Sequence, residues 1–168
     1  MIVFLDTEYA SHSVSAPKLI SIAFVAADGH REFYAELSDG WQVEDCSAFV
    51  RREVLPHLDA TNVLSTADLK SELHQWLRGG PRSIRIATDS PIDFQILANL
   101  LAGEWPQNVA ADRYDLRALV DSGAFHHAFR RYFGPGRHEH HALHDARALR
   151  LGWLAYMDAR KLRGQGWI

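Results

Sequence analysis

Hydrophobic positions near the start of the chain predict three strands. Residues Ile2–Leu5 are continuously apolar and few in number, which is typical of a strand buried on both faces. Apolar and β-branched residues dominate Leu19–Ala27, and Arg31–Leu37 is expected to be the strand that returns beside it. Asp28-Gly29 between them indicates a two-residue hairpin turn, because both residue types tolerate a positive φ. The chain is therefore expected to open with an antiparallel meander.

Further along the chain, apolar residues recur at helical spacing between shorter strand-like runs. Phe49, Val50 and Val54 mark the apolar face of the first such helix, which Pro56 ends. Phe125–Gly136 has no clear period and is expected to be irregular. The predicted helices are Cys46–Leu55, Ser65 or Thr66 to Leu77, Pro91 to Gly103, Tyr114–Val120 and Ala142–Arg160, and the further strands are Ser83–Thr88 and Val109–Ala111.

The order of these elements, β-β-β-α-α-β-α-β-α-α, predicts the α/β fold class. We expect a mixed five-stranded sheet, an antiparallel meander plus parallel strands, flanked by helices. The 168 residues favour a single domain over residues 1–168 and suffice for a buried core. Apolar residues make up 47% of the chain and charged residues 23%, which excludes disordered and fibrous classes.

Charge and cysteine content narrow the functional classes. The formal net charge of −3 argues against tight non-specific duplex binding, which needs many basic contacts to phosphate. It is compatible with an enzyme that meets phosphate through metal ions, since such a site carries several carboxylates. The single cysteine, Cys46, allows no intramolecular disulfide and fits a reducing compartment. Asp6 interrupts the first apolar run, so we expect neither a signal peptide nor a membrane span there, and a cytoplasmic location.

Asp6 and Glu8 follow the first buried strand directly. Two carboxylates at positions i and i+2 of an extended segment point the same way, and they repel each other unless a cation lies between them. Sites of α/β sheets are usually built where a central strand ends. A polar strand end without function is the alternative, because Asp-x-Glu is a common pattern.

A second carboxylate candidate, Asp93, comes just after the predicted fourth strand. An aspartate in the first turn of a helix is also ordinary, because it favours the positive end of the helix dipole. Asp89 competes for the same role and is alternatively an N-cap.

Four histidines lie between His138 and His144, around the start of the last predicted helix. The HExxH zinc pattern fails, because Ala142 stands where the second histidine should be. His140 and His144 lie four residues apart and could chelate a metal on a helix, although a solvated helix start is the plainer interpretation. Asp145 is more informative, since its neighbours on that helix are apolar and must face the core.

Taken together, these patterns resemble the DEDDh 3′–5′ exonucleases, a branch of the ribonuclease H-like fold that includes DnaQ-like proofreading subunits and oligoribonuclease. That family has Asp-x-Glu on its first strand, a central Asp at a helix start and a late His-x-Ala-x-x-Asp-Ala. The matching segments are Phe4-Leu5-Asp6-Thr7-Glu8, Ile92-Asp93-Phe94-Gln95-Ile96-Leu97 and His140-His141-Ala142-Leu143-His144-Asp145-Ala146. They occur in the family's order and span nearly the whole chain.

The resemblance implies a metal-dependent phosphodiester hydrolase. Asp6, Glu8, Asp93 and Asp145 would hold two ions of Mg²⁺ or Mn²⁺, which prefer carboxylate oxygen. His140 would be the general base that takes a proton from the attacking water. The products would be nucleoside 5′-monophosphates.

The expected substrate is single-stranded RNA at its 3′ end. The short chain, the Asp-Gly hairpin and the segment Phe49–Leu58 resemble a small bacterial subgroup of 3′–5′ exoribonucleases. Tyr9, next to Glu8, is placed to stack on the terminal base, with a core aromatic as the equal alternative. Thr88-Asp89-Ser90 departs from the His-Asn that many relatives carry before the central Asp, which leaves substrate contacts in that loop open.

Three alternatives remain at this point. The same fold could act on DNA, because the 2′-hydroxyl of RNA is read by few hydrogen bonds. The chain could be a catalytically inactive nucleic-acid-binding module, although such a module has no reason to keep buried carboxylates uncompensated. A structural metal protein built on the histidines is the third. Relatives are often homodimers, so a homodimer is also an expectation.

Overall fold

The computed structural model describes residues 1–10 and 17–164, and the six strands among them form one sheet. The strands in chain order are β1 (Ile2–Ala10), β2 (Lys18–Ala26), β3 (Glu32–Leu37), β4 (Val63–Leu64), β5 (Arg85–Thr88) and β6 (Tyr114–Asp115). Their order across the sheet is β4-β3-β2-β1-β5-β6. Strands β1, β2 and β3 pair antiparallel, whereas β5 pairs parallel with β1 and β6, and β4 parallel with β3. The predicted mixed α/β class is confirmed, but the described residues form six strands where five were expected.

Helices cover both faces of this sheet. In chain order they are α1 (Ala48–Glu53), α2 (Thr66–Arg78), α3 (Pro91–Leu101), α4 (Arg117–Val120), α5 (Gly123–Tyr132) and α6 (Ala142–Gly164). One face of the sheet buries Val3 and Leu5 of β1 with the apolar faces of α2 and α3. The other face buries Phe4 with Phe125 of α5 and Leu149 of α6. None of the helices traced in 1–10 and 17–164 is long and apolar enough to cross a membrane.

Side-chain caps explain why several helices begin where they do. The hydroxyl of Ser65 accepts a hydrogen bond from the amide of Asp68 and so caps α2, which settles the choice between Ser65 and Thr66. Ser90 caps α3 in the same way, with Pro91 at the first helical position. Residues Leu69, Leu73 and Leu77 then form the buried stripe of α2.

The opening hairpin differs from the two-residue turn predicted at Asp28-Gly29. The amide of Ala26 donates to the carbonyl of Arg31, so the connection is residues 27–30. Gly29 has a φ of 75°, whereas Asp28 accepts a hydrogen bond from the amide of His30 through its carboxylate. Asp28 therefore stabilises the turn with its side chain instead of adopting the left-handed conformation.

Several short strands and the helices α4 and α5 also depart from the predicted elements. The strand expected at Val109–Ala111 is a single bridge from Val109 to Ile84, and β4 and β6 add strands too short to show an alternating pattern. Tyr114 belongs to β6, so α4 begins only at Arg117. The stretch Phe125–Gly136, expected to be irregular, lies largely in α5, which buries Phe125 and Tyr132.

The first helix is shorter than predicted. α1 begins at Ala48, capped by Ser47, and a 3₁₀ turn at Leu55–His57 follows it. Val50 and Val54 pack into a small core cluster as expected, but Phe49 is 45% exposed. The apolar face of α1 is therefore narrower than the sequence suggested.

Candidate active site

Asp6 and Glu8 lie within β1, not beyond its end. The strand continues to Ala10 because residues up to that point pair with β2, and this pairing outweighs the low β propensity of Asp and Glu. Alternation places Phe4, Asp6 and Glu8 on the face of the sheet that α6 covers. The predicted common direction of the two carboxylates is confirmed, because they reach the same carboxylate group described below.

Asp93 reaches the site from the layer on the opposite face. It stands in the first turn of α3 and is 3% exposed. The hydroxyl of Thr7 donates to one of its carboxylate oxygens at 2.8 Å, and the hydroxyl of Thr88 donates to the other at 3.0 Å. Thr7 thus points away from its neighbours Asp6 and Glu8 and fixes the carboxylate of Asp93 in orientation.

Asp145 is supplied by the first turn of α6. Its pKa is raised to about 7, mainly by burial, while hydrogen bonds from the backbone amides of His140 and His141 lower it. These amides lie just before α6, next to the unpaired N–H groups of its first turn, which favour a carboxylate there. The start of α6 therefore orients Asp145 and connects it to the segment that carries His140.

These carboxylates converge into two groups that share Asp6. One group contains Asp6, Asp89 and Asp93, and the other contains Asp6, Glu8 and Asp145. Within each group, one ligand atom from each residue lies within 4.8 Å of the others. The groups line a cleft of about 280 Å³, whose other lining residues are Thr7, Tyr9, Ser90, Phe129, Glu139, His140 and Leu149.

Burial raises the pKa of all five carboxyls in the two groups, and nearby negative charges add to the effect. The pKa of Glu8 is raised to about 8 by burial and then by the charges of Asp145 and Asp93. The pKa of Asp93 is raised to about 7 by burial, against the hydrogen bonds from its threonine partners. Burial also raises the pKa of Asp6 well above its usual range, with Asp145 the next cause. Such a cluster favours protonation unless cations compensate its charge.

Asp89 is part of the site and is not an N-cap. Ser90 caps α3, while a ligand atom of Asp89 lies with those of Asp6 and Asp93. Burial raises the pKa of Asp89 as well. From the sequence, Asp89 and Asp93 were alternatives for one position in the site. Both belong to the same carboxylate group because of the path that the loop takes after β5, which the sequence does not reveal.

Tyr9 lines the cleft although simple alternation would place it on the far face of β1. The pairing of β1 with β2 shifts register between Glu8 and Tyr9, and irregularities of this kind re-aim side chains. Burial, with the negative charges of Asp93 and Glu8, raises the pKa of the Tyr9 phenol. The neutral phenol ring is therefore available in the cleft beside the carboxylates.

His140 lines the same cleft, and the remaining histidines of its segment do not. His138 is exposed, but His141 is only 6% exposed, so the histidine segment is not the solvated helix start that was the plainer interpretation. His144 accepts a hydrogen bond from the amide of His138 through Nδ1. In the part of the chain that the structure describes, neither carboxylate group includes a histidine.

Several residues of the site were missed from the sequence. Thr7 and Thr88 position Asp93, and Phe129 and Glu139 line the cleft. Thr7 had a readable signal, because strand alternation puts the residue between two site carboxylates on the opposite face. Phe129 had only a weak signal, its helical spacing from Phe125, which the polar residues between them obscured.

The similarity of this chain to known proteins lies in its fold. No protein-family model matches the chain, and no curated protein matches it either. Among solved structures, it is similar to exonuclease I from Methylocaldum szegediense (TM-score 0.58, 16% identity, 98% of this chain and 40% of that one). It is also similar to a zinc-bound complex of Escherichia coli exonuclease I with single-stranded DNA (TM-score 0.61, 16% identity, 96% of this chain and 41% of that one).

A third exonuclease I structure, described for how processivity is achieved, gives a TM-score of 0.64 at 14% identity, over 96% of this chain and 41% of that one. The chain has the ribonuclease H-like fold of these exonucleases. It spans about two-fifths of the length of each of them.

Proposed function

We propose that the protein is a metal-dependent 3′–5′ exoribonuclease that releases nucleoside 5′-monophosphates. The observation that carries the proposal is the sharing of Asp6 between two carboxylate groups, one with Asp89 and Asp93 and one with Glu8 and Asp145. A carboxylate common to two adjoining groups suits a pair of cations held side by side. The fold of the exonuclease I structures supports the same class.

The donor set fits divalent cations that prefer oxygen. Mg²⁺ and Mn²⁺ take carboxylate ligands, and each group offers three carboxylates. The raised pKa of Asp6 and of Glu8 shows that burying this much negative charge without compensation is unfavourable. When bound, two such ions supply charge stabilisation to the attacking and leaving oxygens of a phosphodiester.

The residues of the chain then have separate tasks. His140 lines the cleft and accepts a proton from the attacking water, because a neutral imidazole nitrogen is a proton acceptor suited to general-base catalysis. The water oxygen bonds to the terminal phosphorus as the bond to the preceding 3′-oxygen breaks. The leaving 3′-oxygen takes a proton from solvent, so one nucleoside 5′-monophosphate is released and the strand keeps a new 3′-hydroxyl. Tyr9 stacks on the terminal base, for which its place in the cleft and its neutral ring are suited.

A DNA-directed 3′–5′ exonuclease is the second candidate. The observation that favours it is the complex of E. coli exonuclease I with single-stranded DNA, to which this fold is similar. RNA stays the first candidate because of the resemblance of Phe49–Leu58 and the hairpin to small exoribonucleases. A homodimer and a cytoplasmic location are further parts of the proposal, and sedimentation and cell fractionation test them.

The deciding experiment uses matched RNA and DNA oligomers labelled at the 5′ end. With Mg²⁺ or Mn²⁺, we expect a ladder of labelled products shortened from the 3′ end, faster on RNA. EDTA should abolish it, re-addition of metal should restore it, and Asp6→Asn should be inactive. Cleavage that continues in excess chelator, or internal cleavage without a ladder, contradicts the proposal. A ladder on DNA alone selects the second candidate.

A further inference from the structure

Residues 138–141 lie just before α6 and lean on α1 and the turn that follows it. The rings of Phe49 and His140 meet edge-on, with centroids 4.9 Å apart and planes at 83°. The rings of His57 and His138 are stacked, with centroids 4.3 Å apart and planes at 9°. Two side chains of the 49–59 region therefore meet two side chains of the segment that carries His140.

A third contact, made by His141, fixes the position of this segment. His141 is buried, its ring stacks on Tyr34 with centroids 4.8 Å apart, and its Nε2 lies 3.7 Å from the carboxylate of Asp59. The amide of Asp59 and the hydroxyl of Tyr34 both donate to the carboxylate of Glu36 at 2.8 Å. The 49–59 region is thus tied to β3, so it is a fixed support for the segment above it.

The backbone of His140 needs such a support. Its φ is 63°, a left-handed conformation that residues with a side chain adopt rarely and keep where surrounding contacts determine it. Its neighbours provide those contacts on both sides, through His57 for His138 and through Asp59 for His141. What remains free at His140 is the rotation of the imidazole itself.

Phe49 limits that rotation. Its helix buries Val50, and Val54 just after the helix is buried too, whereas the Phe49 ring is 45% exposed and stands against the His140 imidazole. A large apolar ring with half its surface in water gains little from core packing, so its contact with His140 is the feature that distinguishes it. Edge-on aromatic pairs have a preferred geometry, which gives this contact an orienting effect.

We propose that Phe49 is a positioning residue that holds the His140 imidazole over the carboxylate cleft. Its catalytic consequence rests on the proposed function, in which His140 takes the proton of the attacking water. The orienting effect on His140 is a property of the folded protein and does not depend on that activity.

The kinetic test compares Phe49→Ala with Phe49→Tyr and with Val43→Ala. Val43 is a similarly exposed apolar residue, 48% exposed, in the turn before α1. We expect Phe49→Ala to lower kcat on a short RNA by roughly tenfold to a hundredfold, a fraction of what a general base contributes, with KM nearly unchanged. Phe49→Tyr, which keeps the ring, should restore kcat, and Val43→Ala should match the wild type. A raised KM with unchanged kcat would place Phe49 on the substrate and overturn the proposal.

The second readout needs no activity. In the wild type, the ring current of Phe49 should shift the NMR resonances of the His140 ring protons. These resonances are assigned by their absence from the spectrum of His140→Gln. Phe49→Ala and Phe49→Leu should both remove that shift, while Phe49→Tyr should retain it. Leucine keeps the apolar bulk, so it covers the case in which alanine unfolds α1. Unchanged His140 resonances in Phe49→Leu overturn the proposal.

The two readouts separate the inference from the function on which it rests. If the wild type cleaves neither RNA nor DNA, the proposed function fails, and the NMR comparison still decides whether Phe49 orients His140. If the wild type is active and Phe49→Leu changes neither kcat nor the resonances of His140, the inference alone fails.

Discussion

The hydroxyl of Thr7 donates a 2.8 Å hydrogen bond to the carboxylate of Asp93. Thr7 stands between two site carboxylates of β1, but its side chain points to the opposite face of the sheet. One strand therefore provides Asp6 and Glu8 on one face and, through Thr7, orients a carboxylate that arrives from the other layer. This arrangement makes the geometry of Asp93 depend on β1 as well as on α3.

Thr7→Val should test that dependence. Valine keeps the shape but removes the donor, so a buried carboxylate oxygen of Asp93 loses its partner. A hydrogen bond to a charged group contributes about 1.5–3 kcal/mol, so Mn²⁺ affinity should fall roughly tenfold to a hundredfold. Thr7→Ser keeps the hydroxyl and should bind Mn²⁺ like the wild type in calorimetry. Equal affinity of all three proteins would show that Asp93 is oriented without Thr7.

Asp93→Asn and Asp89→Asn should differ strongly. Asp93 is almost fully buried and held by Thr7 and Thr88, so no other carboxylate can take its place. We expect Asp93→Asn to lower kcat by roughly 10³-fold or more, the equivalent of several kcal/mol of charge stabilisation. Asp89→Asn should lose much less, and circular dichroism should show both variants folded. The reverse order would mean that Asp89 occupies the central position.

The histidines provide a second matched pair. His140 lines the cleft, whereas the imidazole of His144 is engaged by the amide of His138. His140→Ala should lower kcat by roughly 10²–10⁴-fold, the usual contribution of a general base, and leave Mn²⁺ binding nearly unchanged. His144→Ala should change the rate little. Calorimetry that shows loss of metal binding in His140→Ala would indicate that His140 is a metal ligand and not a general base.

The raised carboxyl pKa values make the stability of the metal-free protein depend on pH. In the folded protein the pKa of Glu8 is raised from 4.5 to about 8, because its charged form is buried beside Asp145 and Asp93. Its protonated form stabilises the fold below pH 4.5, and this contribution is lost as pH rises through about 8. The metal-free wild type should therefore lose stability as pH rises from about 5 to about 8.

Glu8→Gln isolates this effect from other titrations, such as that of His141, whose pKa is lowered by burial. One pKa unit corresponds to about 1.4 kcal/mol, and 1 kcal/mol shifts Tm by roughly 2–4 °C in a chain of this size. In EDTA, the wild type should thus lose several degrees of Tm relative to Glu8→Gln over that range. Mg²⁺ should raise Tm most at the alkaline end. If the Tm values of the two proteins changed in parallel with pH, the pKa of Glu8 would not be raised in the folded protein.

Gly152 of α6 is expected to be essential to packing. A Cβ there would lie 2.7 Å from the buried ring of Phe125, whereas a Cβ at Gly123 would meet nothing within 4 Å. Gly152→Ala should therefore destabilise the protein by about 1–2 kcal/mol, because crowding outweighs the better helix propensity of alanine. Gly123→Ala should be neutral or slightly stabilising. Urea midpoints of both variants give the comparison, and a Gly152→Ala protein as stable as the wild type would mean that α5 shifts freely.

What the sequence predicted well depends on local periodicity. The long strands and α2, α3 and α6 have apolar positions at the spacing of their own secondary structure, and Asp6 and Glu8 needed only alternation to be placed on one face. In α5 the spacing of Phe125, Phe129 and Tyr132 is helical, but histidines and arginines between them obscured it. The two-residue strands β4 and β6 are too short to carry any period.

What the sequence did not predict depends on contacts between distant residues. His141 is buried because Tyr34 and Asp59 meet it, and nothing around His141 in the chain indicates this. Asp89 joins the site because of the path of one loop after β5. The exposed position of Phe49 beside His140 is a third case, since helical spacing alone favoured a buried ring.

The sharing of Asp6 has a consequence for the order in which the site can assemble. Asp6 lies on β1 and Asp145 on α6, far apart in the chain, and only their meeting completes the second carboxylate group. During folding, the first carboxylate group needs only elements from β1 to α3, whereas the second one waits until α6 packs against the sheet. A folding intermediate in which α6 is undocked would bring Asp6, Asp89 and Asp93 together but leave Glu8 without Asp145.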